Sequence, residues 1–220
     1  MKIAVLGGSF NPIHTGHLIL ASDVCEELHY DKVLFIPALN PPHKDMNTTG
    51  SHDPSPKDRL RMCQLAVKGD RRFAVEDCEL KRSGKSYTYD TICFLEEKYK
   101  GRLEGKIGLI MGDDLLPGFH LWHRAAEIAD KCDLILAVRN HQVEEKAFKN
   151  HATGQYSSLD LTKPFDWKKD PLLADGRRLE NPVVTVSSTQ IRAMASRGQS
   201  VDYLVPGRVF KYIKRHNLYL

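Results

Sequence analysis

Two histidines three residues apart, His14 and His17, stand at the end of the segment GGSFNPIHTGH, residues 7–17. The segment fits neither GxGxxG nor GxxxxGK[ST], the two commonest phosphate-loop patterns. Its first residues, Gly7 and Gly8, still permit the sharp turn and close backbone approach that a phosphate needs. We therefore predict an anion site with two imidazoles. A plain connecting loop and a metal site are the alternatives, but no carboxylate or third histidine stands nearby to complete a metal site.

The middle of this segment is typical of a turn that leads into a helix. Asn11-Pro12 is a turn signal, because an Asn side chain can accept a hydrogen bond from its own backbone two residues on. Gly16 and His17 then open an apolar pattern with helical spacing. The amide groups at the start of that helix attract anions, so we expect the histidines to face the same ligand.

A second candidate anion site is the segment VSSTQIR, residues 186–192. Ser188 and Thr189 place hydroxyl groups at the start of a predicted helix, and Arg192 follows one turn later. Hydroxyls, helix amides and a guanidinium at one helix end can together hold phosphate oxygens. Taken alone, the segment is explained as well by a simple helix cap beside a surface arginine.

Three further features are ambiguous on their own. Lys44, in the segment NPPHKD, would by itself be a solvated lysine on a loop. Trp122 would by itself be a core residue more often than a stacking platform. Asp77, Glu79 and Arg82 are interpreted as an ordinary run of exposed charges.

The elements that must position these residues follow from hydrophobic periodicity. Strands are predicted at 2–6, 32–38, 72–80, 106–112, 133–139 and 183–186. Helices are predicted at 17–29, 56–69, 87–101, 119–132, 187–198 and 207–220, with a polar loop at 40–58.

This alternation predicts an α/β fold: a Rossmann-like, doubly wound, mostly parallel sheet with helices on both faces and a small C-terminal helical part. In such sheets ligands bind at the carboxyl ends of the strands, at the switch point. Gly8 and Gly112-Asp113 both fall at such ends and are expected to share one site. We expect a single domain over residues 1–220, with an insertion or excursion at about 140–182, which is polar and lacks clear periodicity.

The composition argues against several classes of protein. The chain has 220 residues, 41% hydrophobic and 27% charged, which is ordinary for a globular domain. Its net charge of +4 is too small to argue for nucleic acid. Five cysteines without a CxxC pair indicate reduced, buried thiols rather than a zinc or disulfide framework. No run approaches the roughly 18 apolar residues of a membrane span, so we expect a cytoplasmic protein that binds no membrane.

GGSFNPIHTGH together with VSSTQIR resembles the paired HxGH and [ST]xTxxR signatures of the nucleotidyltransferase superfamily. Further blocks are similar to those of the bacterial nicotinate-nucleotide adenylyltransferase family: PALNPPHK, RLRMCQLA, DCELKRSGKSYTYDT, IMGDDLL, FHLWHRAAEI and DYLVPGRVFKYIKRHNLY. The resemblance covers nearly the whole chain except about 140–182. One position departs from it, because Asn11 stands where the family usually has Asp. We hypothesise that the motif needs the turn at this position more than the charge.

The resemblance implies a role for each matching residue. The ATP phosphates would be held by the backbone around Gly8, Ser9 and Phe10 and by six side chains: His14, His17, Lys44, Ser188, Thr189 and Arg192. The catalytic residues among them would be His14, His17, Lys44 and Arg192. Adenosine would lie against Gly112 and Asp113. The nicotinate nucleotide would be bound by Thr88, Trp122 and His123, with Trp122 stacked on the pyridine ring and backbone amides near Thr88 and His123 receiving the carboxylate.

The resemblance also implies a reaction: AMP passes from ATP to nicotinate mononucleotide, pyrophosphate leaves, and Mg²⁺ is bound with ATP. The alternatives belong to three classes. The first is another nucleotidyltransferase, specific for nicotinamide mononucleotide, phosphopantetheine or glycerol phosphate. The others are a non-catalytic nucleotide sensor and an RNA-binding protein. Intact His14, His17 and Arg192 argue against the sensor, and the lack of an aromatic-basic stripe argues against RNA. No protein metal site is predicted, and a homo-oligomer is left open.

Overall fold

A computed structural model describes residues 1–41, 52–138, 145–149, 156–160 and 165–220. The candidate residue Lys44 lies outside these ranges, as does most of the polar stretch between 140 and 164. Within the described ranges, no helix is long and apolar enough to cross a membrane.

A parallel sheet forms the centre of the described structure. Its strands are Ile3–Gly8 (β1), Lys32–Pro37 (β2), Phe73–Val75 (β3), Ile107–Gly112 (β4), Cys132–Ala137 (β5) and Arg177–Leu179 (β8), and Glu145–Lys149 (β6) and Tyr156–Asp160 (β7) form a separate antiparallel pair. The sheet order is β3-β2-β1-β4-β5-β8, and every neighbouring pair is parallel. The order changes direction between β1 and β4, which is the switch point where such sheets bind ligands.

The strands are apolar at consecutive positions because both faces of the sheet are covered. In β1, Ala4 and Leu6 point into one core, whereas Ile3 and Val5 point into the other. All four side chains are buried. The two-sided burial confirms the predicted Rossmann-like, doubly wound fold.

The helices form a layer on each face of the sheet. Their bounds are Thr15–Glu27 (α1), Pro56–Val67 (α2), Thr88–Lys98 (α3), Ala125–Lys131 (α4), Ser188–Ala195 (α5) and Gly207–Arg215 (α6), with short 3₁₀ helices at Asp113–Leu121 and Trp167–Lys169. The first core takes side chains from α1, α2, α5 and α6. The second core takes them from α3, α4 and the 3₁₀ helix after β4.

The last strand of the sheet is not where the sequence analysis placed it. The prediction of a strand at 183–186 is wrong, since residues 181–187 have no regular secondary structure. The sixth strand is instead β8, within the stretch interpreted as an excursion. It is a three-residue edge strand in which Arg177 and Arg178 are exposed and only Leu179 is buried. So short and polar a strand carries no periodicity that sequence analysis could detect.

Several other elements are shorter than predicted, and two of them span at most half of the predicted residues. The strand expected at 72–80 spans only Phe73–Val75. The helix expected at 119–132 begins only at Ala125, after an interruption at Arg124, whose backbone is left-handed with φ 58°. Trp122 therefore lies on a connection between a 3₁₀ helix and α4 rather than inside a helix.

Candidate active site

A cleft of about 650 Å³ opens at the carboxyl ends of β1 and β4. The candidate residues that line it are Gly8, Ser9, Phe10, His14, His17, Thr88, Gly112, Trp122, His123, Ser188, Thr189 and Arg192. Asp113 is not among the lining residues, although its neighbour Asp114 is. The fold thus brings together residues as far apart in sequence as Gly8 and Arg192, whereas Lys44 lies outside the described residues.

The turn after β1 is shaped by Gly8 and Phe10. Phe10 has a left-handed backbone, φ 44°, and its ring is buried with its edge toward the ring of His17, 5.0 Å between centroids. A Cβ atom on Gly8 would come within 3.3 Å of the Phe10 ring. Glycine at this position therefore avoids a tight contact with the Phe10 ring, and Gly8 lines the cleft.

The start of α1 is capped by the histidine pair. The backbone N–H of His14, the residue before the helix, donates to Nδ1 of His17 at 3.1 Å. The two rings lie 3.6 Å apart, centroid to centroid. A Cβ atom on Gly16 would approach Nδ1 of His14 to 3.2 Å, so a glycine at this position leaves room for the buried His14 ring.

The start of α5 lies against the same turn. Ser188 Oγ donates to the carbonyl of Pro12 at 2.8 Å. Arg192 donates through Nη1 to the carbonyl of Asn11 at 2.9 Å and through Nη2 to Thr189 Oγ1 at 3.3 Å. These bonds join the two anion motifs into one structure. The helix cap itself is Ser187, whose Oγ accepts from the backbone N–H of Gln190, rather than Ser188 or Thr189.

An aromatic group forms the other end of the cleft. The Tyr87 and His123 rings are stacked with their centroids 4.5 Å apart. The half-buried Trp122 meets the buried Phe119 ring at 5.3 Å. Thr88 is the first residue of α3, so the amide groups at that helix start lie beside the aromatic rings. This end of the cleft offers flat apolar surface next to backbone donors.

Glu79 is a cleft residue that sequence analysis missed by interpreting it as an exposed charge. Its side chain is buried, and Thr91 Oγ1 donates to its Oε1 at 2.7 Å. Arg82 donates to the same hydroxyl at 3.1 Å. Burial raises the pKa of the Glu79 carboxyl above its ordinary value. Glu79 stands in the segment DCELKR, residues 77–82, whose four charged residues suggest an exposed stretch and give no sign of this burial.

The connection before α5 also contributes unpredicted cleft residues. The Asn181 amide group donates to the carbonyl of Val138 and accepts from its backbone N–H, both at 2.9 Å. This pairing fixes the chain beyond β8, so that Pro182 and Val184 line the cleft. Because residues 183–186 have the composition of a strand, nothing in their sequence indicates that they form one wall of the cleft.

The described residues contain no cluster of three or more His, Cys, Asp or Glu side chains placed to hold a metal ion. Three carboxyl side chains line the cleft, those of Asp53, Glu79 and Asp114, and Asp114 lies two residues beyond the end of β4. The arrangement suits a cation that arrives with a phosphate ligand, since Mg²⁺ commonly uses one or two carboxylates together with substrate phosphates.

The model of the cytidylyltransferase-like family matches residues 5–194, from β1 to the last turn of α5. The chain belongs to this family. The match includes both anion motifs and all described candidate residues of the cleft. It confirms the resemblance that the HxGH and [ST]xTxxR signatures indicated.

Relatives of this family member cover its whole length. A protein of Treponema pallidum (strain Nichols) is 36% identical over 219 residues, covering 100% of this chain and 99% of the relative. A protein of Dehalococcoides mccartyi (strain ATCC BAA-2100 / JCM 16839 / KCTC 5957 / BAV1) is 38% identical over 221 residues, covering 100% and 97%. Both are named "Probable nicotinate-nucleotide adenylyltransferase".

Solved structures show the same fold at low identity. The Plasmodium falciparum nicotinic acid mononucleotide adenylyltransferase complexed with NaAD aligns with a TM-score of 0.68 and 15% identity, over 99% of this chain and 97% of that one. The same enzyme complexed with APC aligns with a TM-score of 0.64. At 15% identity, this structural similarity supports the fold of the protein and no more.

Proposed function

We propose that the protein is a nicotinate-nucleotide adenylyltransferase, which transfers AMP from ATP to nicotinate mononucleotide and releases pyrophosphate in NAD biosynthesis. The observation that carries this proposal is the joining of the two anion motifs at one cleft, through the hydrogen bonds from Ser188 to Pro12 and from Arg192 to Asn11. Full-length relatives that are 36% and 38% identical and carry that enzyme name support it.

The reaction forms one P–O bond and breaks another. An oxygen of the mononucleotide 5′-phosphate attacks the α-phosphorus of ATP, and the bond to the β-phosphate oxygen breaks to release pyrophosphate. Both reactants are anionic, so the enzyme's task is positioning and charge stabilisation rather than covalent catalysis. The cleft suits this task because its polar lining is built from helix starts, imidazoles and a guanidinium.

The phosphate end of the cleft would hold ATP. His17 would donate from Nε2 to an α-phosphate oxygen, where negative charge develops. His14 and the backbone around Gly8, Ser9 and Phe10 would surround the triphosphate, while Ser188, Thr189, Arg192 and Lys44 would bind its β- and γ-phosphates. Gly112 would lie against adenosine, as would Asp113, although the latter does not line the cleft.

The aromatic end would hold the acceptor. Trp122 would stack on the pyridine ring, and backbone amides near Thr88 and His123 would receive its carboxylate. The geometry favours an anionic acceptor, since the positive start of α3 lies beside the rings. A neutral amide would instead place its NH₂ group against backbone donors.

A divalent cation accompanies ATP in this type of reaction, and we propose Mg²⁺. Bound to the phosphates, it would neutralise part of their negative charge. On the protein side the carboxylate of Asp114, which lines the cleft, would meet it. The cytoplasmic location stays a prediction, and the oligomeric state stays open.

Pyrophosphate release tests the proposal. The protein is incubated with ATP and MgCl₂, and nicotinate mononucleotide, nicotinamide mononucleotide and phosphopantetheine are offered in separate reactions. We expect release with nicotinate mononucleotide at a kcat/KM at least about tenfold above that with the amide, which is about 1.4 kcal/mol of discrimination. Release with phosphopantetheine alone, or with none of the three, would refute the assignment.

A further inference from the structure

Among the residues that the structure describes, Arg59 is the largest fully buried side chain, with 1% of its surface exposed. It lies in the first turn of α2, a helix with Ser55 at its N-cap and a reciprocal hydrogen-bond pair between Ser55 and Asp58. Its neighbours on the same helix face, Met62 and Cys63, are buried core residues. A guanidinium is rarely buried this deeply without a function or a partner.

The partner of Arg59 is a backbone carbonyl of the phosphate turn. Its Nη1 donates to the carbonyl oxygen of Ser9 at 2.6 Å. Within the described part of the chain, no carboxylate forms an ion pair with Arg59, so its charge is uncompensated there. Burial lowers the pKa of the guanidinium, yet an arginine stays protonated in proteins. The fold thus maintains a buried cation directly behind the turn.

The geometry of the peptide group relates this bond to the cleft. In a trans peptide the carbonyl and the following N–H point in opposite directions. With the Ser9 carbonyl held toward Arg59, the N–H of Phe10 points away from α2. Ser9 and Phe10 both line the cleft, so Arg59 holds this peptide with its donor on the ligand side.

Two other side chains hold the next residue of the turn from different elements. Arg192 of α5 donates to the carbonyl of Asn11 at 2.9 Å. Tyr219, near the C-terminus, donates from its hydroxyl to Oδ1 of Asn11 at 2.8 Å. Arg59 differs from both, because its guanidinium is buried, whereas that of Arg192 lines the cleft and the hydroxyl of Tyr219 is uncharged.

We propose that Arg59 is a positioning residue for the triphosphate: it fixes the Ser9–Phe10 peptide and places a buried positive charge behind the turn that meets ATP. The identity of the anion rests on the proposed function, whereas the positioning of the peptide does not. Removing the guanidinium would loosen the turn and remove the charge together, so ATP affinity and kcat would both fall.

Calorimetric ATP binding, without any acceptor, tests this inference. We expect Arg59→Met to weaken ATP binding at least twentyfold and Arg59→Lys to weaken it three- to fivefold, because lysine keeps the charge but not the reach and fork of arginine. Met62→Ala is the matched control: it leaves a cavity in the same helix and lowers Tm, yet keeps the ATP Kd within twofold of wild type.

The possible outcomes test the positioning role of Arg59 and the proposed function separately. Wild-type ATP affinity in Arg59→Met, or equal weakening in Arg59→Met and Met62→Ala, overturns the positioning role. If Arg59→Met does not fold, Arg59→Lys decides, and wild-type affinity in that variant overturns the role. If the wild-type protein binds ATP but does not adenylate nicotinate mononucleotide, the proposed function is wrong. The role of Arg59 is then still decided by the ATP affinities of its variants.

Discussion

The backbone N–H of His14 donates to Nδ1 of His17 at 3.1 Å. Because Nδ1 accepts this bond, the proton of the neutral His17 ring is on Nε2. The backbone therefore selects one tautomer and one ring orientation at the start of α1. This arrangement suits the proposed role of His17 as a fixed donor to an anionic ligand better than a role as a general base.

Replacing His17 tests that role. We expect His17→Ala to lower kcat at least about a hundredfold, since one preorganised donor to developing charge is worth on the order of 3 kcal/mol. His17→Asn should lose activity to a similar extent, although its side-chain oxygen can still accept from the His14 N–H. The exposed His29 gives a control, and His29→Ala should behave as wild type. A folded His17→Ala with near-normal kcat would refute the role.

Asn11 is held by the C-terminal end of the chain. Its side-chain oxygen accepts a hydrogen bond from the Tyr219 hydroxyl, 208 residues away in sequence. This long-range contact stands in place of the local Asx turn predicted from the sequence. An aspartate could accept the same bond. We expect Asn11→Asp to keep kcat and the ATP KM within about threefold of wild type, since the acceptor is preserved. Tyr219→Phe, which removes the donor, should lower the free energy of unfolding by about 1 kcal/mol. A tenfold or larger gain in activity in Asn11→Asp would contradict the hypothesis that the motif needs the turn at this position more than the charge.

Glu79 gives the stability a pH dependence with a definite sign. Burial raises the pKa of its carboxyl above the ordinary value of 4.5, so the folded protein binds this proton more tightly than the unfolded chain. The resulting stabilisation is complete below pH 4.5 and is lost as pH rises through the folded-state pKa. Glu79→Gln keeps an acceptor for Thr91 and should lose less stability than wild type over this rise.

Urea unfolding at a series of pH values measures the effect. The free energy of unfolding of Glu79→Gln, relative to wild type, should increase from acid to neutral pH. Glu97→Gln, on the exposed part of α3, controls for the change of net charge. A difference between Glu79→Gln and wild type that is constant with pH would show that burial does not perturb this carboxyl.

The cysteines provide a test of core packing. All five are free thiols, and four of them are buried. Burial raises the pKa of Cys25 to about 11 and that of Cys132 to about 12, so little reactive thiolate forms at pH 8. Intact-mass analysis after brief iodoacetamide treatment should show at most one label on the native protein, at the partly exposed Cys93, and five after unfolding. Two or more labels on the native protein would contradict the packing.

Much of the fold could be predicted from sequence because its buried strands are continuous apolar runs and its helices keep their periodicity. β1 and β4 were placed within two residues of their observed ends for this reason. The paired motifs also identified the cleft residues, since their residue types are unusual at a strand-to-helix turn.

The missed features depend on tertiary packing. Nothing local distinguishes the buried Glu79 from a solvated glutamate, and Arg177 and Arg178 conceal β8 because they are exposed on an edge strand. Arg59 did leave a signal: it stands three and four residues before Met62 and Cys63, which places it on the buried face of α2.

The most direct test of the central claim is the identity of the product. Protein, ATP, MgCl₂ and nicotinate mononucleotide are incubated, and mass spectrometry and a pyrophosphate assay follow the products together. We expect nicotinate adenine dinucleotide and pyrophosphate in equal amounts, with both formed at least about a hundredfold more slowly by His17→Ala. Release of phosphate or ADP in place of pyrophosphate, or no dinucleotide from the folded wild-type protein, would contradict it.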